Sequence, residues 1–154
     1  MDISDAQDII KTALTTGFTD QETEVVTREI ANFPDRPEQY KLTHPIGALL
    51  VYYLRSQYQR EPINHAAVNQ PKDIIINVRV KNRNLNTNEG AVADVQQVID
   101  SLQGVDISSY NTTRPGRLYI IEDRFIDYDP ANGIWDYEVT IGVPSEQYQD
   151  TELL

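Results

Sequence analysis

The segment Arg117–Val143 constrains the chain most, because two runs of alternating apolar and polar residues flank Asp129-Pro130-Ala131-Asn132-Gly133. A run of period two can keep one face dry only as a strand. In the first run Leu118, Ile120, Glu122, Arg124 and Ile126 share one face, with Tyr119, Ile121, Phe125 and Tyr128 largely opposite. In the second, Trp135, Tyr137, Val139 and Ile141 alternate with Asp136, Glu138 and Thr140. The sequence between them turns the chain back, since Asn-Gly supplies the positive φ angles a hairpin needs. The segment is therefore a closing β-hairpin, and the rest of the chain must build on its sheet.

Upstream, two apolar periods of the helical kind appear. Ile3, Ala6, Ile9, Ile10, Ala13 and Leu14 recur at helical spacing up to Gly17, with Ser4 and Gln7 in the Ser-x-x-Gln arrangement of a capping box. A helix over about Ser4–Thr16 is expected. Ala91, Val92, Val95, Val98, Ile99 and Leu102 mark a second helix, capped at Thr87 or Asn88 and closed by Gly104. Glu22–Phe33 fits either a helical face or, through its β-branched residues, a strand, and we favour the strand. Pro34–Pro45 reads as an extended loop, because each proline pushes its predecessor out of the helical region. Ile46–Ser56 and Asp73–Lys81 read as strands, the latter with Ile74, Ile76, Val78 and Val80 on a dry face and Asn77, Arg79 and Lys81 on a wet one. Between them Tyr58–Pro71 has the composition of a polar connection, and Asn111–Gly116 that of a loop.

The expected fold is α+β: a mainly antiparallel sheet of four to five strands with two helices packed on it. Residues 1–146 form one domain, and 147–154 a flexible C-terminal tail.

Composition narrows the chemistry. With no cysteine, the chain builds neither disulfides nor thiolate metal sites nor a cysteine nucleophile. Its 24 acidic and 13 basic residues give a formal charge of −11, which opposes wrapping an anionic polymer. No apolar run is long enough to span a membrane, and the acidic Met1–Asp5 start is the reverse of a signal peptide, so a cytoplasm is the expected location. The acids around the hairpin, Glu122, Asp123, Asp127, Asp129 and Asp136, could hold a divalent cation or do acid–base work, but their spacing is not that of an EF-hand loop. His44 and His65 lie far apart among loop residues, and no Gly-x-Ser-x-Gly, Ser-x-x-Lys or phosphate-cradling glycine motif occurs. No catalytic, cofactor-binding or metal-ligating residue is therefore assigned, and no cofactor. Nine tyrosines against three phenylalanines are the compositional oddity, and suit either cross-strand packing or a protein interface. Tyr52, Tyr53, Tyr58, Arg79, Lys81, Arg83, Tyr128 and Trp135 are the candidate interface residues.

As a whole the sequence resembles the tail-terminator, or tail-completion, proteins of long-tailed bacteriophages. The likeness is to the Mu-like minor tail protein family and, more loosely, to the lambda tail terminator. It is carried by Leu42-Thr43-His44-Pro45-Ile46-Gly47-Ala48 running into Leu49-Leu50-Val51-Tyr52-Tyr53, by the helix opening at Asn88-Glu89-Gly90, and by Asp127–Tyr137. The resemblance implies a non-enzymatic structural protein of the virion, located at the head-proximal end of the tail. Its subunits would form a hexameric ring that caps the tail tube, ends tube polymerisation and docks the neck or connector. In a contractile tail it would also meet the sheath, and genomic DNA would pass through its lumen without specific binding. Another neck, connector or tube subunit, or a small metal-dependent enzyme using the acidic hairpin, are the alternatives.

Overall fold

A computed structural model describes residues 1–59, 67–110 and 115–150, the side chains of 67–69 and 148–150 excepted. His65, the loop at 111–114 and the last residues, 151–154, lie outside the described residues. In chain order the regular elements are α1 (Ile3–Gly17), β1 (Glu29–Asn32), β2 (Gly47–Tyr58), β3 (Ala67–Asn82), α2 (Ala91–Leu102), β4 (Tyr119–Asp129) and β5 (Ile134–Asp150). The strands form one sheet in the order β1-β2-β3-β5-β4. The α+β fold with two helices on a five-stranded sheet is as expected, but the sheet is mixed. β1 runs parallel to β2, pairing Glu29 with Ala48 and Asn32 with Val51, while every other pairing is antiparallel. Parallel neighbours need a long crossover, and residues 33–46 supply it with no more than a single 3-10 turn at Pro37–Gln39.

Both helices lie on one face. Ala6, Ile10 and Leu14 of α1 and Val95, Val98 and Leu102 of α2 bury against Leu49, Val51, Ile74, Ile76, Val78, Val80, Val139, Ile141 and Val143. Each valine, leucine or isoleucine among these, fully buried, contributes about 1.5–3 kcal/mol. A second small cluster, Leu42, Ala48 and Leu50 with Phe33, Tyr40 and Ile134 beside it, forms on the opposite face where the 33–46 segment folds over the sheet.

Several local expectations change. The α1 cap is Asp2, whose carboxylate accepts from Asp5 N–H at 2.7 Å while Asp5 accepts from Asp2 N–H, so the capping box lies two residues earlier than Ser4–Gln7. An aspartate at this position also complements the helix dipole, which Ser4 would not. α2 starts after Gly90 rather than Thr87 or Asn88. Of Glu22–Phe33 only Glu29–Asn32 is strand; Asp20 instead accepts the N–H groups of Glu22 and Thr23 in a tight turn through Glu24, which has φ +58°. The β4–β5 turn closes by Gly133 N–H donating to the Asp129 carbonyl at 2.7 Å. There only Gly133, at φ +66°, is left-handed, while Asn132 is not.

The largest correction is the length of β3 and β5. Residues 67–71, expected as a polar connection, and Gln147–Asp150, expected as a flexible tail, pair with each other, from Ala67 opposite Asp150 to Pro71 opposite Glu146. Neither segment reads as a strand alone, because its pairing partner is far away in sequence.

Candidate functional site

The helix-free face of the sheet was expected to be wet, and it is instead a covered polar layer. Antiparallel register sets Asn77 opposite Thr140, Arg79 opposite Glu138 and Lys81 opposite Asp136. Asn77, Asp136, Glu138 and Thr140 are all buried. Arg79 grips Asp136 with Nε at 3.0 Å and a second, shorter bond from its terminal nitrogen, and Lys81 Nζ adds a third at 3.1 Å. Arg124, across the β4–β5 pair, donates to Glu138. Asn77 donates to Tyr52 Oη at 2.7 Å and Glu138 at 3.3 Å, and accepts from Thr140 at 2.7 Å. Burial would push the Arg79 guanidinium down, but its bonds and proximity to Asp136 hold it above the ordinary value. Pairing is what makes the burial of these charges tolerable.

The cover is aromatic. Phe33 packs under Arg79 at 5.5 Å and against Tyr52 at 5.1 Å, and Tyr40 stands over Lys81 at 5.9 Å. The Tyr40 hydroxyl donates to Glu29 at 3.0 Å; burial first, then this carboxylate, pushes the phenol well above its ordinary value. His44 accepts the N–H groups of Ile46 and Gly47 at Nδ1, at 3.1 and 3.3 Å, and so caps the entry to β2.

At one end of this face lies a cleft of about 450 Å³ between Lys41–Leu42 and the hairpin tip, with Lys81 and Arg83 facing Asp127, Asp129 and Asp136. Its acids are already committed. Asp129 accepts from Ala131 N–H and the Asn132 amide, Asp127 from Tyr128 N–H, and Asp136 from Arg79 and Lys81. Arg83 donates to the carbonyls of Leu42 and His44. Among the described residues no group of three or more His, Asp or Glu converges as a metal cage.

The eight candidate interface residues divide three ways. Tyr52, Arg79 and Lys81 belong to the covered polar layer, so the basic stripe is satisfied within its own chain; Arg83 stands at its rim. Trp135 and Tyr128 stack at 4.4 Å near the hairpin tip, with Phe125 6.2 Å from Trp135. Tyr53 and Tyr58 stand exposed along β2, Tyr58 with Lys72 over its ring. The structure adds Leu54 on β2 and Ile121 and Phe125 on β4, all more than 40% exposed. Ile121 and Phe125 lie on the face where alternation places them with Tyr119 and Tyr128, whereas Leu54 falls at the register shift between Tyr53 and Arg55 that resets the period of β2.

A buried cross-link holds the opposite face. Arg28 meets Asp94 in a bidentate pair at 2.8 and 2.9 Å, and Asn82 donates to the same carboxylate at 2.8 Å and to the Glu89 carbonyl at 2.6 Å. It pins the turn before β1 to the start of α2 and the end of β3.

No described helix is long and apolar enough to cross a membrane. No curated protein matches the chain. The model of the Gp37 protein family matches residues 22–153, from the turn after α1 through β5. The chain therefore belongs to the Gp37 protein family, a phage-associated family, and its setting is the virion or the phage-infected cell.

Proposed function

We propose that the chain is a structural subunit of a phage tail, a terminator that assembles with itself into a hexameric ring on the last ring of the tail tube. The ring ends tube polymerisation and offers its other face to the neck or connector, with the sheath as a further neighbour in a contractile tail. DNA passes through it without specific contact, as a subunit of charge −11 favours. The protein works by shape and carries out no reaction. Membership of a phage-associated family supports this reading. The observation that carries it is where large apolar side chains stand exposed. Tyr53, Leu54 and Tyr58 lie along β2, and Ile121 and Phe125 along β4, at the margins of the sheet rather than in a cleft, with Tyr128 at the rim of the hairpin-tip cleft. Such side chains suit contact with other subunits.

Electron microscopy of particles assembled without the protein tests the proposal. Overlong tails, or tails of normal length that fail to join heads, are the two informative defects. The first identifies a terminator; the second identifies a neck or connector subunit of the same tail. Particles with normal, joined tails would remove both.

A further inference from the structure

The sheet has two open margins that complement each other. β1 covers only Ala48–Val51 of β2, and Phe33 N–H adds one bond to the Val51 carbonyl. Beyond that, no strand among the described residues lies against the outer edge of 52–58. β4 ends the sheet on the other side, so no strand among the described residues lies against its outer edge along Ile120–Asp129. Unpaired edges are templates for another strand, and proteins usually blunt them. Here bulges and charges make each edge a poor template for an arbitrary strand, but the charges are opposite. Within 52–58 the one charged residue is Arg55, which is exposed, whereas 119–129 carries Glu122, Asp123, Asp127 and Asp129 against Arg124. Two β4 edges would repel; a β4 edge and a β2 edge attract.

We infer that β4 of one copy pairs with the 52–58 edge of β2 in the next, making one continuous sheet through a head-to-tail assembly of this chain. The inference rests on the ring reading above and names its contact. Strand direction allows it. β2 is antiparallel to β3, β3 to β5 and β5 to β4, so β4 runs antiparallel to β2 and meets the next copy's β2 antiparallel whenever copies are related by rotation about an axis along the strands. A heterologous contact of this kind closes into a ring when its rotation permits.

The register supports closure. Arg124 lies level with Leu50, through Glu138 and Arg79, whereas the open part of β2 centres on Arg55, five residues further along. β1 blocks the unshifted position, so each junction imposes a stagger of about five residues. At ~3.3 Å per residue along a strand, and four strands per copy spaced ~4.8 Å apart, that stagger tilts the strands by roughly 40°. Closed sheets tilt by about 35–45°. The obstruction at β1 therefore sets an offset of the size a closed sheet requires.

Hydrogen–deuterium exchange on the full chain, monomeric and assembled, tests this without assuming an exact register. Amides of 52–58 and 119–129 should slow by at least about tenfold on assembly, as pairing of an open edge protects its N–H groups, while those of α1 keep their rates. Arg55→Glu should weaken each contact by about fivefold, the scale of turning one exposed ion pair into a repulsion. Adding Glu122→Lys and Asp123→Lys to it should restore assembly, and all three positions are exposed, so folding is spared. A ring whose two edges exchange as in the monomer overturns the edge pairing and leaves the ring intact. A two-fold dimer protecting only 119–129, or protection that appears only when tube protein is added, also overturns it. A chain that stays monomeric both in solution and at tail ends removes the ring reading together with it.

Discussion

At the scale of single residues, the chain's stability is concentrated in a few committed polar groups. Asp94 is the clearest: it is buried, takes two bonds from Arg28 and one from Asn82, and sits at the first turn of α2. Asp94→Ala should destabilise the fold by about 3–5 kcal/mol in denaturant unfolding, because it strands the Arg28 charge. Replacing both partners with apolar residues should recover a large part of that loss, since the orphaned charge goes with its partner. Three aspartates in surface turns tie stability to pH. Asp20 is held below the ordinary 3.8 by the Thr23 and Glu22 N–H groups, Asp106 by Ser108, and Asp129 by the Asn132 side chain and the Ala131 N–H. A carboxylate whose folded pKa is depressed stabilises the fold above its unfolded pKa and loses that contribution as pH falls through the folded one. Thermal midpoints should therefore drop as pH falls below about 4, and Asp129→Asn, which keeps an acceptor for the turn, should flatten part of the drop. An Asp129→Asn profile parallel to wild type would contradict the assignment.

At the scale of elements, caps and turns decide where structure starts, and pairing decides how far it runs. α1 begins where Asp2 and Asp5 satisfy each other's N–H groups, two residues before the Ser4 cap read from the sequence. Asp2→Ala should cost about 1 kcal/mol, while Ser4→Ala, at an exposed position inside the helix, should be close to neutral; equal effects in thermal unfolding would restore the Ser4 cap. The β4–β5 hairpin was legible because its turn chemistry is local. Its strand β5 was not legible to its end, because Gln147–Asp150 become strand only by pairing with 67–70. Gly142 shows the same dependence: an added Cβ would meet the Tyr119 ring at 2.0 Å, so the aromatic lies flat over the glycine of the neighbouring strand. Nothing in either residue's own neighbourhood announces that contact.

At the scale of the whole molecule, charge and edges set the terms of assembly. Subunits of −11 repel one another over distances that salt screens, with a Debye length of about 10 Å at 0.1 M. Pairs in contact at an edge are screened less. Self-association, followed by sedimentation velocity, should therefore strengthen as salt rises from low millimolar towards physiological levels; weakening throughout that range would mean that local charge pairs dominate. The candidate site was only partly legible at this scale. Arg79, Lys81, Tyr52 and Trp135 were found as unusual residues on strands, but the stripe that read as a free basic surface is neutralised by Asp136 and roofed by Phe33 and Tyr40. Of the exposed edge residues, Ile121 and Phe125 were placed on their face by alternation but not singled out for contact, and Leu54 lies where a register shift breaks the alternation of β2. The sequence by itself determined the two amphipathic helices, the closing hairpin and the dry face of β3, since periodicity and turn chemistry act within a few residues. Tertiary structure alone decided the parallel docking of β1, the length of β3 and β5 and the roof over the polar face. Each of these is a pairing between segments distant in the chain, and no local preference specifies the partner.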